Sequence, residues 1–144
     1  YSYKNFSKKQ IKSILKLSTY LRKKYKIKSN FILGHSDIAP DRKKDPGEKF
    51  PWKYLSKNKI GYWHNLNEKK LFKKRNQLVD KQEKKKFIKN LYKIGYSKNI
   101  LFNKYKYSKL LITAFQRRFR QELVNGTIDQ ECLFISNNLA KNLK

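Results

Sequence analysis

The sequence has no methionine and a single cysteine, Cys132, so no disulfide can form within the chain and the compartment stays open. Long apolar runs are absent too. The longest clearly apolar run spans residues 110–112, far too short to cross a membrane, and no signal peptide is visible. A complete translation product begins with methionine, whereas this chain begins at Tyr1. We therefore expect a processed chain or a fragment of a longer protein.

Acidic residues are scarce, since 10 Asp and Glu stand against 37 Lys and Arg, and the formal net charge is +27. Such a surface attracts polyanions, for example nucleic acid, anionic lipid or anionic cell-wall polymer. The chain is also rich in Lys, Asn, Ile and Tyr, whose codons are rich in adenine and uracil. A coding bias would produce the same mixture, so both interpretations of the charge stay open.

The first 33 residues predict a helix followed by a buried strand. Ser7 and Gln10 form a capping-box pattern at the start of a helix over residues 7–25. Its predicted core-facing stripe is Ile11, Ile14, Leu15, Leu21 and Tyr25. The apolar run at 31–33 predicts a strand covered on both faces. One strand cannot make a sheet, so its neighbours must come from absent sequence or from a partner.

Residues 36–51 predict an ordered loop without regular structure, because three prolines and a glycine interrupt them. A loop that follows a buried strand is a common place for function. A short helix can then begin at Pro51, carry Trp52 and Leu55, and end near Gly61.

The rest of the chain predicts a linker and three helices. Residues 64–80 are rich in lysine and lack apolar periodicity, which is typical of a linker. Residues 81–144 predict a small all-α module with Gly95 as one helix cap and Asn125-Gly126 as a turn. Its three apolar stripes are Phe87, Ile88, Leu91 and Tyr92; Leu111, Ala114, Phe115 and Phe119; and Ile128, Cys132, Ile135, Leu139 and Leu143. The predicted core includes Leu91, Phe115, Phe119, Ile135 and Leu139.

The loop concentrates side chains that can carry chemistry. His35 supplies an imidazole at the end of the predicted strand, and Lys43 and Asp45 follow within the loop. Imidazole and carboxylate are both good zinc ligands, and a loop can fold so that His35 and Asp45 converge. A single histidine at a strand end is more often a hydrogen-bonded loop residue. Composition alone therefore leaves both interpretations open.

The order of residues in this loop is more specific than its composition. It reads Gly-His-Ser-Asp-Ile-Ala-Pro at 34–40, Arg-Lys at 42–43, Asp-Pro-Gly at 45–47 and Phe-Pro-Trp at 50–52. This order resembles the signature of the zinc-dependent N-acetylmuramoyl-L-alanine amidases, most closely the type that cleaves anhydromuramyl and intact muramyl peptides. The resemblance implies an α+β fold. Residues 1–63 would be the carboxy-terminal part of an α/β amidase domain with a truncated mixed sheet, followed by the linker and the all-α module.

The resemblance also implies roles for individual residues. His35 and Asp45 would be two ligands of a catalytic zinc ion, and Lys43 would stabilise the oxyanion of the transition state. Zinc in such a site polarises a water molecule and the scissile carbonyl. The bond cut joins the lactyl group of N-acetylmuramic acid to L-alanine, so peptidoglycan or muramyl peptides are the implied partners. Asp41 stands where the family has glycine, which reaches backbone conformations that Asp reaches less easily.

Two parts of the family's site have no match in this sequence. The first histidine ligand and the catalytic glutamate lie upstream of the region that aligns, and residues 1–33 contain neither His nor Glu. His64, the other histidine, lies in the predicted linker and is a weak candidate for a substitute ligand. We therefore expect weak zinc binding and no activity from this chain alone. An upstream amidase polypeptide is a candidate partner.

Residues 114–120 and 125–129 resemble the helical peptidoglycan-binding module that some of these amidases carry after the catalytic domain. The resemblance rests on a Phe-Gln-x-x-Phe pattern and the Asn-Gly turn after it. Arg117, Arg118 and Arg120 would then contact carboxylates of stem peptides. A solvated helix face explains these three arginines equally well.

Three classes of function follow from these patterns. The first is a piece of a peptidoglycan amidase, and the second is a non-catalytic remnant that binds cell wall. The third, a basic nucleic-acid-binding protein, is disfavoured because no helix-turn-helix, zinc-finger or RNA-recognition signature occurs. The first two differ only in activity, and the unmatched ligand favours inactivity. Bacterial cytoplasm and cell envelope both stay open as locations.

Overall fold

A computed structural model describes residues 4–97 and 104–143, with side chains from residue 108 onward in the second range. The described residues form seven α-helices and one 3-10 turn, Ser29–Phe31. The helices are α1 (Lys8–Lys24), α2 (His35–Ile38), α3 (Trp52–Lys57), α4 (Glu68–Phe72), α5 (Lys81–Lys93), α6 (Lys104–Phe119) and α7 (Gln130–Asn142). None of the described helices is long and apolar enough to cross a membrane.

The predicted α+β fold with a truncated mixed sheet is wrong for this part of the chain, which is all helical. The predicted strand at 31–33 is replaced by the 3-10 turn and two residues that follow it. Ile32 does have an extended backbone, with φ −94° and ψ 106°. A strand needs a neighbour to pair its N–H and C=O groups, and no described residue forms one. Phe31, which the prediction buried, is 68% exposed.

Helix α1 forms where predicted, but its apolar face is not buried as predicted. The capping box at its start is confirmed, since the Gln10 amide donates to Ser7 Oγ at 3.2 Å and the Ser7 amide donates to Gln10 Oε1 at 2.8 Å. No residue of α1 is buried, however, and Leu21 and Tyr25 are exposed. The physical reason is that the sheet expected beneath this helix does not occur among the described residues.

Two short helices lie at the two ends of residues 34–52, which we call the functional loop. Helix α2 is a single turn that ends before Pro40, so residues 36–51 are not wholly irregular as predicted. Helix α3 begins after Pro51 as predicted and buries Trp52 and Leu55. The chain then turns at Gly61, whose φ is +73°.

Helices α5, α6 and α7 share one hydrophobic core. All five residues predicted for this core are confirmed as buried, namely Leu91, Phe115, Phe119, Ile135 and Leu139. Phe87 and Phe115 meet edge to face, with ring centroids 5.0 Å apart. The segment at 64–80 contributes to the same core through Leu71 and Val79. The helical core therefore extends beyond the three predicted helices.

Candidate metal site and its support

The functional loop closes on itself through backbone hydrogen bonds. The Ser36 amide donates to the carbonyl of Asp45 at 3.0 Å, which brings the far end of the loop back to α2. The amides of Arg42 and Lys43 donate to the carbonyl of Ala39, at 3.2 and 2.9 Å. Asp41 is not among the described residues with positive φ, so its position in this loop does not require glycine.

The loop brings His35 and Asp45 together at the surface. His35 Nδ1 lies 2.6 Å from Asp45 Oδ2, and the two side chains are 70% and 58% exposed. They border a shallow pocket of about 250 Å³, with Pro46, Phe50 and Trp52 among its walls. The predicted convergence of these two side chains is therefore observed.

The pair fits zinc in chemical type but not in number. An imidazole nitrogen and a carboxylate oxygen are ordinary zinc ligands. Their donor atoms are closer than the roughly 3.3 Å between two ligands of one tetrahedral zinc ion, so a ligand role requires the pair to open slightly. A catalytic zinc has three protein ligands. The described residues contain no group of three His, Cys, Asp or Glu that could hold a metal.

Lys43 and His64 occupy different surroundings. Lys43 is exposed in the loop two residues before Asp45. His64 is 8% exposed and lines a separate pocket of about 620 Å³, to which neither His35 nor Asp45 contributes. Burial lowers the pKa of His64 to about 4, and its Nδ1 has no hydrogen-bond partner among the described residues. His64 is therefore not placed beside the pair.

Gly34 is required by a close approach within the loop. A Cβ on Gly34 would lie 2.7 Å from Cδ of Pro46 and 3.3 Å from the indole of Trp52. Atoms do not tolerate the first distance, so any larger residue would push Pro46 away. Because Gly34 and Pro46 adjoin His35 and Asp45 in sequence, their contact helps to hold the two candidate ligands side by side.

The base of the loop is a buried charge network that the sequence patterns did not predict. Asp37 is 3% exposed, and its Oδ2 accepts the Gly34 amide at 2.9 Å and Nη1 of Arg118. Its Oδ1 accepts the Tyr96 hydroxyl at 2.9 Å. Burial and the charge of Asp37 raise the pKa of Tyr96 well above its usual value, so the hydroxyl stays protonated as a donor. Asp37 three residues after Gly34 was a local signal for the cap, but nothing in the sequence pointed to Arg118.

Arg117 and Arg118 at the end of α6 and Arg120 just after it face different surroundings from those predicted. Arg118 and Arg120 are each 2% exposed, and they pair with Asp37 and Asp129 inside the molecule. Neither guanidinium forms a solvated face, and neither is free to meet a stem peptide in this structure. Arg117 is nearer the surface, with its Nε 3.9 Å from Glu48 Oε2.

Known proteins resemble this chain in both sequence and fold. The family model described as N-acetylmuramoyl-L-alanine amidase matches residues 1–48. The amidase AmiD of Escherichia coli is 30% identical over 134 residues, which are 93% of this chain and 48% of the relative. The 1,6-anhydro-N-acetylmuramyl-L-alanine amidase AmpD of Haemophilus influenzae is 45% identical over 53 residues, 35% of this chain and 29% of the relative.

Solved structures show the same relationship. AmiD from E. coli, in complex with the substrate anhydro-N-acetylmuramic acid-L-Ala-D-gamma-Glu-L-Lys, is 30% identical with a TM-score of 0.83. The alignment covers 97% of this chain and 54% of AmiD. AmpDh3 from Pseudomonas aeruginosa, in complex with an anhydromuramic pentapeptide, is 27% identical with a TM-score of 0.79, covering 97% and 55%. The chain thus spans about half the length of these relatives, and the resemblance predicted from residues 34–52 is confirmed.

Proposed function

We propose that this chain, a relative of the N-acetylmuramoyl-L-alanine amidases, carries two of the three protein ligands of a zinc site for hydrolysing the amide between N-acetylmuramic acid and L-alanine. The observation that carries the proposal is the convergence of His35 and Asp45, whose donor atoms lie 2.6 Å apart in the signature loop. One structure of AmiD and one of AmpDh3 contain a bound anhydromuramyl peptide. A muramyl peptide is accordingly the class of substrate that we propose here.

We propose two roles for the three candidate residues of the loop. His35 and Asp45 would hold zinc, and Lys43 would stabilise the negative charge that develops on the carbonyl oxygen of the scissile amide. A zinc ion, when bound, activates water and polarises that carbonyl. The high exposure of His35 and Asp45 leaves the pair open to a ligand from the solvent side.

A polypeptide of these 144 residues should not turn over substrate. The described residues contain only the pair of candidate ligands, and residues 1–33 contain no His or Glu to complete the site. Two ligands bind zinc more weakly than three. We propose that sequence beyond these 144 residues, in the same polypeptide or in a second one, supplies the remaining ligand and the glutamate.

A non-catalytic role in wall binding is the second candidate. The net charge of +27 favours it, because bacterial wall polymers carry many anionic groups. This role needs no third ligand. It differs from the first in leaving His35 and Asp45 without a function.

Zinc titration distinguishes the two candidates. The chain has only two histidines, so NMR resolves the ring resonances of His35 and His64. We expect Zn²⁺ to shift the His35 resonances and leave those of His64 in place. Asp45→Asn should weaken the apparent affinity by at least about tenfold, whereas Asp41→Asn in the same loop should not.

Activity is measured on the same samples with an anhydromuramyl tripeptide. We expect no peptide release above that of a His35→Ala variant. Zinc-dependent turnover by these 144 residues alone would overturn the proposal that further sequence is needed. Failure of zinc to move His35 at all would instead leave wall binding as the function.

A further inference from the structure

Helix α6 contacts the functional loop through the buried Arg118, in addition to Arg117 beside Glu48. Arg118 donates from Nη1 to Asp37 Oδ2 and from Nη2 to the carbonyl of Ile32, the second bond at 3.2 Å. Ile32 and Asp37 lie on either side of His35 in sequence. One guanidinium therefore holds the backbone before the candidate ligand and the helical turn after it.

The same guanidinium rests on the indole that supports the other half of the pair. Arg118 Cζ lies 4.1 Å from the ring centroid of Trp52, within the range of a cation–π contact. Trp52 also lies close to Gly34, which in turn contacts Pro46, the neighbour of Asp45. Both candidate ligands are thus supported from a layer made by Arg118 and Trp52.

The chain leaves space for this guanidinium at Gly61. A Cβ there would lie 3.2 Å from Arg118 Nη2 and 3.1 Å from the Trp52 ring, and the residue has a φ of +73°. Tyr96, which follows α5, completes the enclosure by donating to Asp37 Oδ1 at 2.9 Å. Three separate parts of the chain therefore meet around one carboxylate.

We call residues 81–97 and 104–143, which contain α5, α6 and α7, the helical region. We infer that Arg118 and Tyr96 of this region are positioning residues for the His35–Asp45 pair, acting through Asp37. The helical region then helps to shape the candidate metal site, in addition to any role in binding the cell wall. The identity of His35 and Asp45 as ligands rests on the proposed function. The mechanical link through Asp37 does not.

Arg120 provides a matched control for the inference. It lies two residues from Arg118 on the same stretch of chain, is equally buried, and pairs with Asp129. Asp129 caps α7 by accepting the Cys132 amide at 3.0 Å, so Arg120 serves the helical region alone. Substituting either arginine leaves a buried carboxylate, Asp37 or Asp129, without its paired cation.

The test compares Arg118→Met with Arg120→Met in the full chain by amide hydrogen exchange. We expect Arg118→Met to speed exchange at Gly34 and Ser36 by at least about tenfold more than at Cys132. Arg120→Met should show the opposite order. Equal acceleration at both places in both variants would overturn the inference, because the arginines would then act only on global stability.

A milder pair keeps the test decisive if Arg118→Met does not fold. Tyr96→Phe removes one donor to Asp37, whereas Tyr62→Phe removes a hydroxyl that donates to Ile94 at 3.5 Å. We expect faster exchange at Gly34 and Ser36 in Tyr96→Phe only. No difference between these two variants would also overturn the inference.

Zinc affinity of His35, followed by NMR in the same variants, provides the functional readout. We expect Arg118→Met or Tyr96→Phe to weaken it, and Arg120→Met or Tyr62→Phe to leave it within about twofold of the original chain. Unchanged affinity in Tyr96→Phe despite faster exchange would overturn the link to the pair. If zinc leaves the His35 ring resonances of the original chain unchanged, the proposed function is refuted. The exchange comparison would still decide the positioning role.

Discussion

Helices α1 and α5 begin in the same way but are held very differently. Each starts with a capping box, made by Ser7 and Gln10 in α1 and by Asp80 and Glu83 in α5. Helix α5 buries Phe87 and Leu91 against its neighbours, whereas no residue of α1 is buried. Local signals therefore specify where a helix begins, and a packing partner decides how stable it is.

The functional loop, which lies between these helices in sequence, has buried residues, unlike α1, but lies outside the hydrophobic core that contains Phe87 and Leu91 of α5. Its surface holds the exposed His35 and Asp45, and its base holds the buried pair of Asp37 and Arg118. The contact with α6 ties the loop to the well-packed region, although the loop follows α1 in sequence. The comparison therefore predicts a boundary of stability that lies between α1 and Gly34, before the loop begins.

The largest expected effect comes from removing a core ring. Phe115 is fully buried between Phe87 and Phe119, with centroids at 5.0 and 5.2 Å. Phe115→Ala should lower the free energy of unfolding by about 3–5 kcal/mol because it leaves a cavity. Leu17→Ala, on the exposed face of α1, should change it by no more than about 0.5 kcal/mol. Urea unfolding followed by circular dichroism measures both, and similar losses would contradict the contrast between the regions.

Hydrogen exchange should locate the boundary directly. Amides of α5 and α7 should exchange at least about 100-fold more slowly than those of α1, because α1 can open without disturbing a core. Gly34 and Ser36 should follow the helical region. Protection of α1 equal to that of α5 would mean that its apolar face is covered by self-association or by a partner chain, and would favour an assembled enzyme.

The two histidines sharpen the comparison through pH. Burial lowers the pKa of His64 to about 4, below its usual value of 6.5, so the folded state takes up this proton less readily than the unfolded state. Stability should therefore fall as the pH drops from about 6.5 towards 4, by up to roughly 3 kcal/mol. Urea midpoints at pH 7 and pH 4.5 measure the change, which His64→Gln should reduce. An undiminished change in His64→Gln would assign the pH dependence to other groups, and His35→Gln serves as the exposed control.

Much of the helical region could be read from the sequence because its signals are local. Apolar residues at helical spacing around Leu91, Phe115 and Leu139 predict both the helices and the faces that become buried. The burial of Leu71 and Val79 was not predicted, because isolated apolar residues in a lysine-rich segment show no periodicity. Their burial depends on the segment folding back over the helices.

The predicted sheet failed for the opposite reason. The apolar run at 31–33 has the composition of a buried strand, but composition cannot supply the neighbours that a strand must pair with. Among the described residues that stretch has no such neighbour, so a 3-10 turn ends at Phe31 and the Ile32 carbonyl accepts from Arg118 instead.

The sequence by itself determined the relationship to the amidases, helix α1 with its capping box, helices α3, α5, α6 and α7, and the loop that carries His35 and Asp45. These features are encoded by residues that are close together in the chain. Only the tertiary structure decided that Arg118, 81 residues after Asp37, supports that loop from below. A buried carboxylate needs compensating donors wherever the fold can supply them. The choice of those donors follows from packing between distant segments, which no local pattern records.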